Sequence, residues 1–567
     1  MLRKHAWGIA FALLVGLISV APTVLAPLSI GSAYHGIQYL PLNDEETYRA
    51  RIHEILDGHY TVASPFLYEY KDTSPVAMLP INEWLYALPA FLFGLSVVIV
   101  ASKFLLPTLL FFFTYLLVRR LLKDEDPSTT LTALVAGLLV AFGTDLMNYQ
   151  SVIPALKGLA PVNPLLWTRL VNPIVGAVEV FAFLYLLVRV WEGDRRFIIP
   201  AGIVLALTVG YFFSFGIAAS ILAILLFGAL VKKEYGFAKN ATYIFLLSLV
   251  LDAWYWYQTL FSVSGPVGRV LAERNGMSFT HAPVLNMVLL TATLFVLVSY
   301  GFSRFRRKHA GYGNIWLFLS ALLIGSWLAF NQQVVTGREI WYYHFVQYSV
   351  PLSLVVVVVA SHISWRFAVP RLWRFGMYGM FGLLLAYGIF SITSFLPRAS
   401  AFANIQQYAN AISFLDTSAP RDCVVLVMNA EEIEQLIPAY TSCNTYSTTI
   451  TFAGVPKERI LHNYLLQLRL NGITTNNLHA YLLAHEGDIR TYFFDNWIEL
   501  FGEGDDSFVQ EKIALVEKSY PAFLAGNLQT GLQTYQMDYL LTTAPIRKIL
   551  PKLHRVATEG AFSLYSF

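Results

Sequence analysis

The chain has 567 residues, of which 56% are hydrophobic, 15% aromatic and 13% charged, against roughly 25% charged in a soluble globular protein. That excludes a soluble enzyme, and a net charge of +3 without a basic stretch interleaved with aromatics excludes a nucleic-acid binder. Two cysteines exclude a multi-disulfide scaffold and any Cys-based metal framework.

A membrane helix needs about 20 mostly apolar residues. Eleven such windows occur, at about 7–30, 97–118, 129–147, 174–191, 197–213, 215–231, 238–257, 283–303, 313–330, 346–363 and 375–396. The first follows the basic MLRKHAW start. It is too long for a signal peptide and lacks a clean small-x-small cleavage site, so it reads as a signal anchor. With the N-terminus inside, the loops RKH, RRLLK, EGDRR, KKEYGFAK, RFRRKH and WRFAVPRLWR all fall on the cytoplasmic side, where Lys and Arg concentrate. The C-terminus then lies outside. Two crossings within 84–120 would put Arg119 and Arg120 outside, so EWLYALPAFLFG (83–94) reads as a juxtamembrane helix followed by one crossing.

The expectation is therefore a polytopic α-helical membrane protein of about eleven spans, residues 1–397, with a soluble extracytoplasmic α/β domain over 398–567. That tail is net negative while the remainder carries the compensating positive charge. DCVVLVM, TYSTTIT, MDYLLTT and AFSLYSF read as strands, and AEEIEQLIPAY and ERILHNYLLQLRL as helices. Cys423 and Cys443 flank the first two strands, and their even count in an exported segment favours a disulfide over two buried thiols.

The external loop over 31–96 holds eight acidic residues. Asp44, Glu45 and Glu46 open a short helix that Asn43 can cap, which by itself is ordinary helix-start chemistry. Arg49, Arg51, His53 and His59 lie nearby. At helical spacing Asp44, Tyr48 and Arg51 share a face: a carboxylate, a phenol and a guanidinium suited to activating a hydroxyl and holding a phosphate. Other loops on that side offer Arg169 and Asn172 before the fourth span, and Arg338 and His344 before the tenth, each otherwise an interfacial anchor. Lys103 reads as a snorkelling residue. Asp145, Glu179 and Asp252 lie inside spans, where a charge costs about 2.5–3.5 kcal/mol on insertion scales and so faces a cavity or a partner.

A basic start, one span, an acidic pair opening a long external loop with a juxtamembrane helix, then a bundle and an external α/β tail resembles the GT-C superfamily of membrane glycosyltransferases. That superfamily includes protein O-mannosyltransferases, aminoarabinose transferases and oligosaccharyltransferases. The motifs are DEETY (44–48), PINEWLYALPAFLFG (80–94) and the Arg-Arg closing the second span. The resemblance implies an inverting transferase that takes a sugar from a polyprenyl phosphate in the outer leaflet of the plasma membrane to a glycan, lipid or protein acceptor. Asp44 or Glu45 would act as general base, with Tyr48, Arg51, Arg169, Asn172, Glu179, Arg338 and His344 around the substrates. No WWDYG-like signature occurs, which argues against the oligosaccharyltransferase branch and its metal. No cofactor is called for, and divalent-metal dependence stays open. The competing readings are a transporter or flippase, against which no repeat or pair of broken spans is visible, and a non-catalytic envelope scaffold.

Overall fold

A computed structural model describes residues 2–42, 44–74, 78–123, 126–261, 265–274, 278–305, 313–428, 431–448, 454–493, 506–543, 553–559 and 562–567. The chain is a polytopic helical membrane protein carrying a small sheet near its C-terminus. In chain order the helices are α1 (Ala6–Ile30), α2 (Glu45–Leu56), α3 (Ile81–Phe93), α4 (Leu95–Leu122), α5 (Pro127–Leu138) and α6 (Thr144–Met147). They continue with α7 (Tyr149–Leu156), α8 (Ile174–Trp191), α9 (Ile198–Leu207), α10 (Phe212–Val231), α11 (Tyr235–Leu251) and α12 (Ala253–Phe261). The rest of the bundle is α13 (Pro266–Arg274), α14 (Met287–Phe305), α15 (Gly313–Phe330), α16 (Gln333–Thr336), α17 (Tyr342–Ser364) and α18 (Pro370–Ser391).

Among the described residues nine helical stretches are long and apolar enough to cross a membrane. The two remaining apolar windows fall on the shorter helices α9 and α11. The 84–120 stretch divides as its charge pattern requires. Gly94, at φ 79°, takes a backbone conformation that costs a glycine little, and so ends α3 and starts α4.

Where polar contacts are scarce, the spans are held by close approach. A Cβ on Gly16 of α1 would stand 2.1 Å from the Thr108 hydroxyl and 2.6 Å from the Phe104 carbonyl oxygen of α4. One on Gly325 of α15 would meet the Ile221 backbone of α10 at 2.8 Å. Methyl groups there would force both pairs apart. The main core runs unbroken from α1 through α17 to α18.

Two short strands, β1 (Ser278–Phe279) and β2 (Arg338–Glu339), pair antiparallel beside the bundle. The C-terminal segment carries a five-stranded sheet of β3 (Val424–Met428), β4 (Asn444–Thr445), β5 (Tyr539–Thr542), β6 (His554–Glu559) and β7 (Phe562–Ser566), in the order β4-β3-β5-β7-β6. β3 is parallel to both β4 and β5, and the other pairs are antiparallel. The strand expected over TYSTTIT is only two residues long, and residues 449–451 of it lie outside the described residues. Cys423 and Cys443 form a disulfide at the start of β3 and β4.

The loop between α1 and α3 is clamped onto this segment. Ala50, Phe66 and Leu67 share a core with Tyr464, Leu482 and Tyr520. Arg49 donates to the Ala439 carbonyl at 2.9 Å and lies 3.8 Å over the Tyr440 ring. The Thr445 amide donates to the Phe66 carbonyl at 2.9 Å, and buried Lys71 pairs with Asp422 at 2.5 Å and Glu54 at 3.2 Å. The position of α2 is therefore fixed from two sides: by the bundle at its N-terminus and by the sheet segment along its length.

Candidate active site

Asp44 stands at the N-cap of α2 in the left-handed conformation, φ 66°, which Asp tolerates better than most residues. Its side chain caps no backbone amide of the helix. It reaches across to Arg169 instead, whose Nη2 lies 2.5 Å from Asp44 Oδ2. The aspartate side chain is 39% exposed and the arginine 15%, so the pair sits at a boundary with its carboxylate accessible. Asn43, the expected cap, lies outside the described residues.

One residue on, Glu45 is wholly buried and its oxygens are engaged. Oε1 receives Lys103 Nζ at 2.6 Å and the Leu170 amide at 3.0 Å, and Oε2 receives the Leu42 amide at 3.0 Å. An ammonium and two amides thus occupy both oxygens of this carboxylate with charge-assisted bonds. Glu45 thus pins α2, α4 and the 165–173 loop together. Lys103 does not snorkel to an interface: it is 3% exposed and turned inward to this pair.

Glu46 is the third acid of the triplet. Burial, with the neighbouring Glu45, pushes its carboxyl up to about 7, against the pull of Lys103.

Arg169 is offered by a short turn, Leu166–Thr168, that precedes α8. Trp167 anchors that turn through its indole N–H to the Val140 carbonyl at 2.6 Å. The Val171 amide donates to the Tyr86 hydroxyl at 3.3 Å, and Asn172 Oδ1 accepts from Asn82 at 2.8 Å, both partners belonging to α3. Tyr48, buried one turn into α2, lies with its ring centroid 5.8 Å from the Arg169 guanidinium carbon, a cation–π distance. Arg169 Nε is buried and has no hydrogen-bond partner.

The expected face of Asp44, Tyr48 and Arg51 is only partly realised. Arg51 bonds buried Glu83 of α3 at 2.5 Å and the Met78 carbonyl at 3.3 Å. A buried guanidinium needs a counter-charge, so it ties α2 to α3 and is not turned to Asp44. His344, at the start of α17, is bonded through Nδ1 to the Tyr211 hydroxyl and stacks on Phe213 at 4.7 Å. The Arg169 guanidinium lies close enough to act electrostatically on both Tyr211 and His344, which places the two at the same corner. Glu179 lies deeper in α8, 6% exposed, with neither carboxyl oxygen bonded. Arg338 is exposed on β2, opposite Phe279. Asp145 accepts from the Leu166 amide at 3.2 Å and so supports the turn that carries Arg169.

Sequence reasoning misread Lys103 as a snorkelling residue and assigned no role to Tyr211 or Glu83. A lysine and an acid inside otherwise apolar stretches were the available signals for the first and last. Tyr211 had none, since only the fold brings it to Arg169.

No family model matches the chain, and no curated protein matches it. Among solved structures it matches the crystal structure of ArnT from Cupriavidus metallidurans bound to undecaprenyl phosphate, at 11% identity and a TM-score of 0.50. The match covers 100% of this chain and 98% of that one. From its first span to its C-terminal sheet, the chain has the fold of ArnT.

Proposed function

We propose that the chain is an inverting glycosyltransferase that takes a sugar from a polyprenyl-phosphate donor at the extracytoplasmic face of the plasma membrane and delivers it to an envelope glycan, lipid or protein. The observation that carries this reading is the accessible Asp44 carboxylate facing the Arg169 guanidinium at the head of α2. It is supported by the motifs shared with GT-C transferases and by the fold of ArnT, a protein crystallised with a polyprenyl phosphate.

In this reading the acceptor hydroxyl loses its proton to Asp44 as its oxygen attacks the anomeric carbon. The bond from that carbon to the phosphate oxygen breaks, and the polyprenyl phosphate departs with the electron pair, inverting the centre. Arg169 takes the growing phosphate charge through its planar fork, aided by the unpartnered Nε. As it turns to the phosphate it releases Asp44 Oδ2, freeing that oxygen to take the acceptor's proton. Tyr48 backs the guanidinium. Asn172 sets the turn through Asn82. Glu179 and the His344–Tyr211 pair face the sugar, and Arg338 meets the headgroup region. Glu45 and Arg51 hold the frame. The tail from about residue 398, with the loop clamped onto it, lies on the extracytoplasmic side.

Replacing Asp44 with Asn tests this. With radiolabelled undecaprenyl-phosphate sugars as donors and envelope extract as acceptor, transfer falls about 10²- to 10⁴-fold while the protein stays inserted and monodisperse. Unchanged transfer by the inserted variant refutes the reading.

A further inference from the structure

Away from Asp44, the sheet of the C-terminal segment is built like an open parallel sheet around β3. From β3 the chain passes through the helices at 431–434 and 436–440 to β4 on one side, and later reaches β5 on the other. In open parallel sheets ligands bind beyond the carboxyl ends of the strands. A cavity of about 510 Å³ lies at that place, lined by Leu426, Val427 and Met428 at the end of β3 and by Ser447 and Thr448 just past β4. That falls within the roughly 300–1,000 Å³ of small-molecule sites.

The chemistry of the walls narrows the occupant. Glu432, Glu434 and Asp488 contribute carboxylates, and Gln435, Gln467 and Asn471 contribute amides, while no Lys or Arg is among the described lining residues. Anions are therefore disfavoured. A bound cation does not explain the acids either: among the described residues no group of three or more His, Cys, Asp or Glu is arranged to hold a metal ion. Gln467 Oε1 is buried and has no hydrogen-bond partner, a position that is costly unless something donates to it. Carboxylates accept in pairs and planar amides set a donor beside an acceptor, matching vicinal hydroxyls, and Tyr492 and Leu466 add a patch for the apolar face of a sugar ring.

We infer that this crevice is an oligosaccharide-binding site that takes a neutral or amino-bearing glycan. It is a second site, and it stands whether or not Asp44 performs sugar transfer.

The test uses the full chain in lipid nanodiscs on an array of immobilised trisaccharides of glucose, mannose, N-acetylglucosamine and glucosamine, together with sialylated and sulfated glycans and extended peptides. Neutral or amino trisaccharides are expected to bind, and Gln467→Leu and Asp488→Asn each to weaken binding about tenfold, as for a lost hydrogen bond to a buried or charged group. Asp488 is only half-buried, so its variant decides the matter if Gln467→Leu fails to fold. Asp44→Asn leaves glycan binding unchanged, which separates this inference from the transfer reaction. Binding of no glycan, of acidic glycans or peptides alone, or equal binding by the folded variants overturns it.

Discussion

The Lys103–Glu45 pair offers a test that separates framework from chemistry. Both side chains are at most 2% exposed and their charged atoms are 2.6 Å apart. At an effective dielectric of about 20, charges about 4 Å apart interact by roughly 4 kcal/mol, and removing one partner of a buried pair typically costs about 3–5 kcal/mol because the other is left uncompensated. Lys103→Met should therefore strand Glu45. If most of that cost falls on the unfolding barrier, the half-life in detergent at a fixed temperature shortens by about 10²-fold or more. Adding Glu45→Gln removes the stranded charge while leaving an amide oxygen for the Leu170 N–H, so the double variant should regain most of the lost half-life. Half-lives follow from the monodisperse fraction surviving timed heating, and sugar transfer is measured on the same samples. A Lys103→Met protein as long-lived as the parent would refute the electrostatic argument. A double variant that is stable yet transfers no sugar would show that Glu45, and not only Asp44, acts on the acceptor proton.

On the proposed mechanism, Arg169→Lys keeps a charge but loses the fork that would serve Asp44 and the phosphate together; transfer should fall about 10- to 10²-fold, by the worth of a charged hydrogen bond, and Arg169→Gln should lower kcat further than it raises KM. Glu46, whose carboxyl is raised to about 7 mainly by burial, is protonated more readily folded than unfolded. Its contribution to stability is thus fully present below about pH 4.5 and lost as pH rises through 7. Thermal half-life should fall across that window, and Glu46→Gln should flatten the profile; an unchanged slope would count against this assignment. The disulfide closes a loop with a sequence separation of 20, so Cys423→Ser with Cys443→Ser should destabilise the sheet segment by about 3 kcal/mol on the loop-entropy estimate. Limited proteolysis after β3 would report it, and equal resistance with and without the bridge would contradict it.

Much of the architecture is written in the sequence, because membrane insertion depends on local quantities. Hydropathy over about 20 residues places a span, and a single glycine, Gly94, is enough to part α3 from α4. The acidic triplet after the first span, the cysteine pair in the tail and the strand patterns of β3, β5 and β7 are local in the same sense. What a carboxylate can do is not local. Asp44, Glu45 and Glu46 are consecutive acids, yet one faces Arg169 at an accessible edge, one is sealed against Lys103, and one is partly buried with its proton held up to about pH 7. Their roles are set by residues 58 and 125 positions away, and Arg51 was diverted by Glu83 from a helix only the fold brings alongside. The crevice beyond β3 likewise needs β4 and the helix Lys457–Leu470 brought beside that strand. Composition and spacing determine which segments enter the membrane and which pair as strands. Only the tertiary structure decides which charges meet, since the energy of a buried ion depends on a neighbour a few ångströms away and not on its place in the chain.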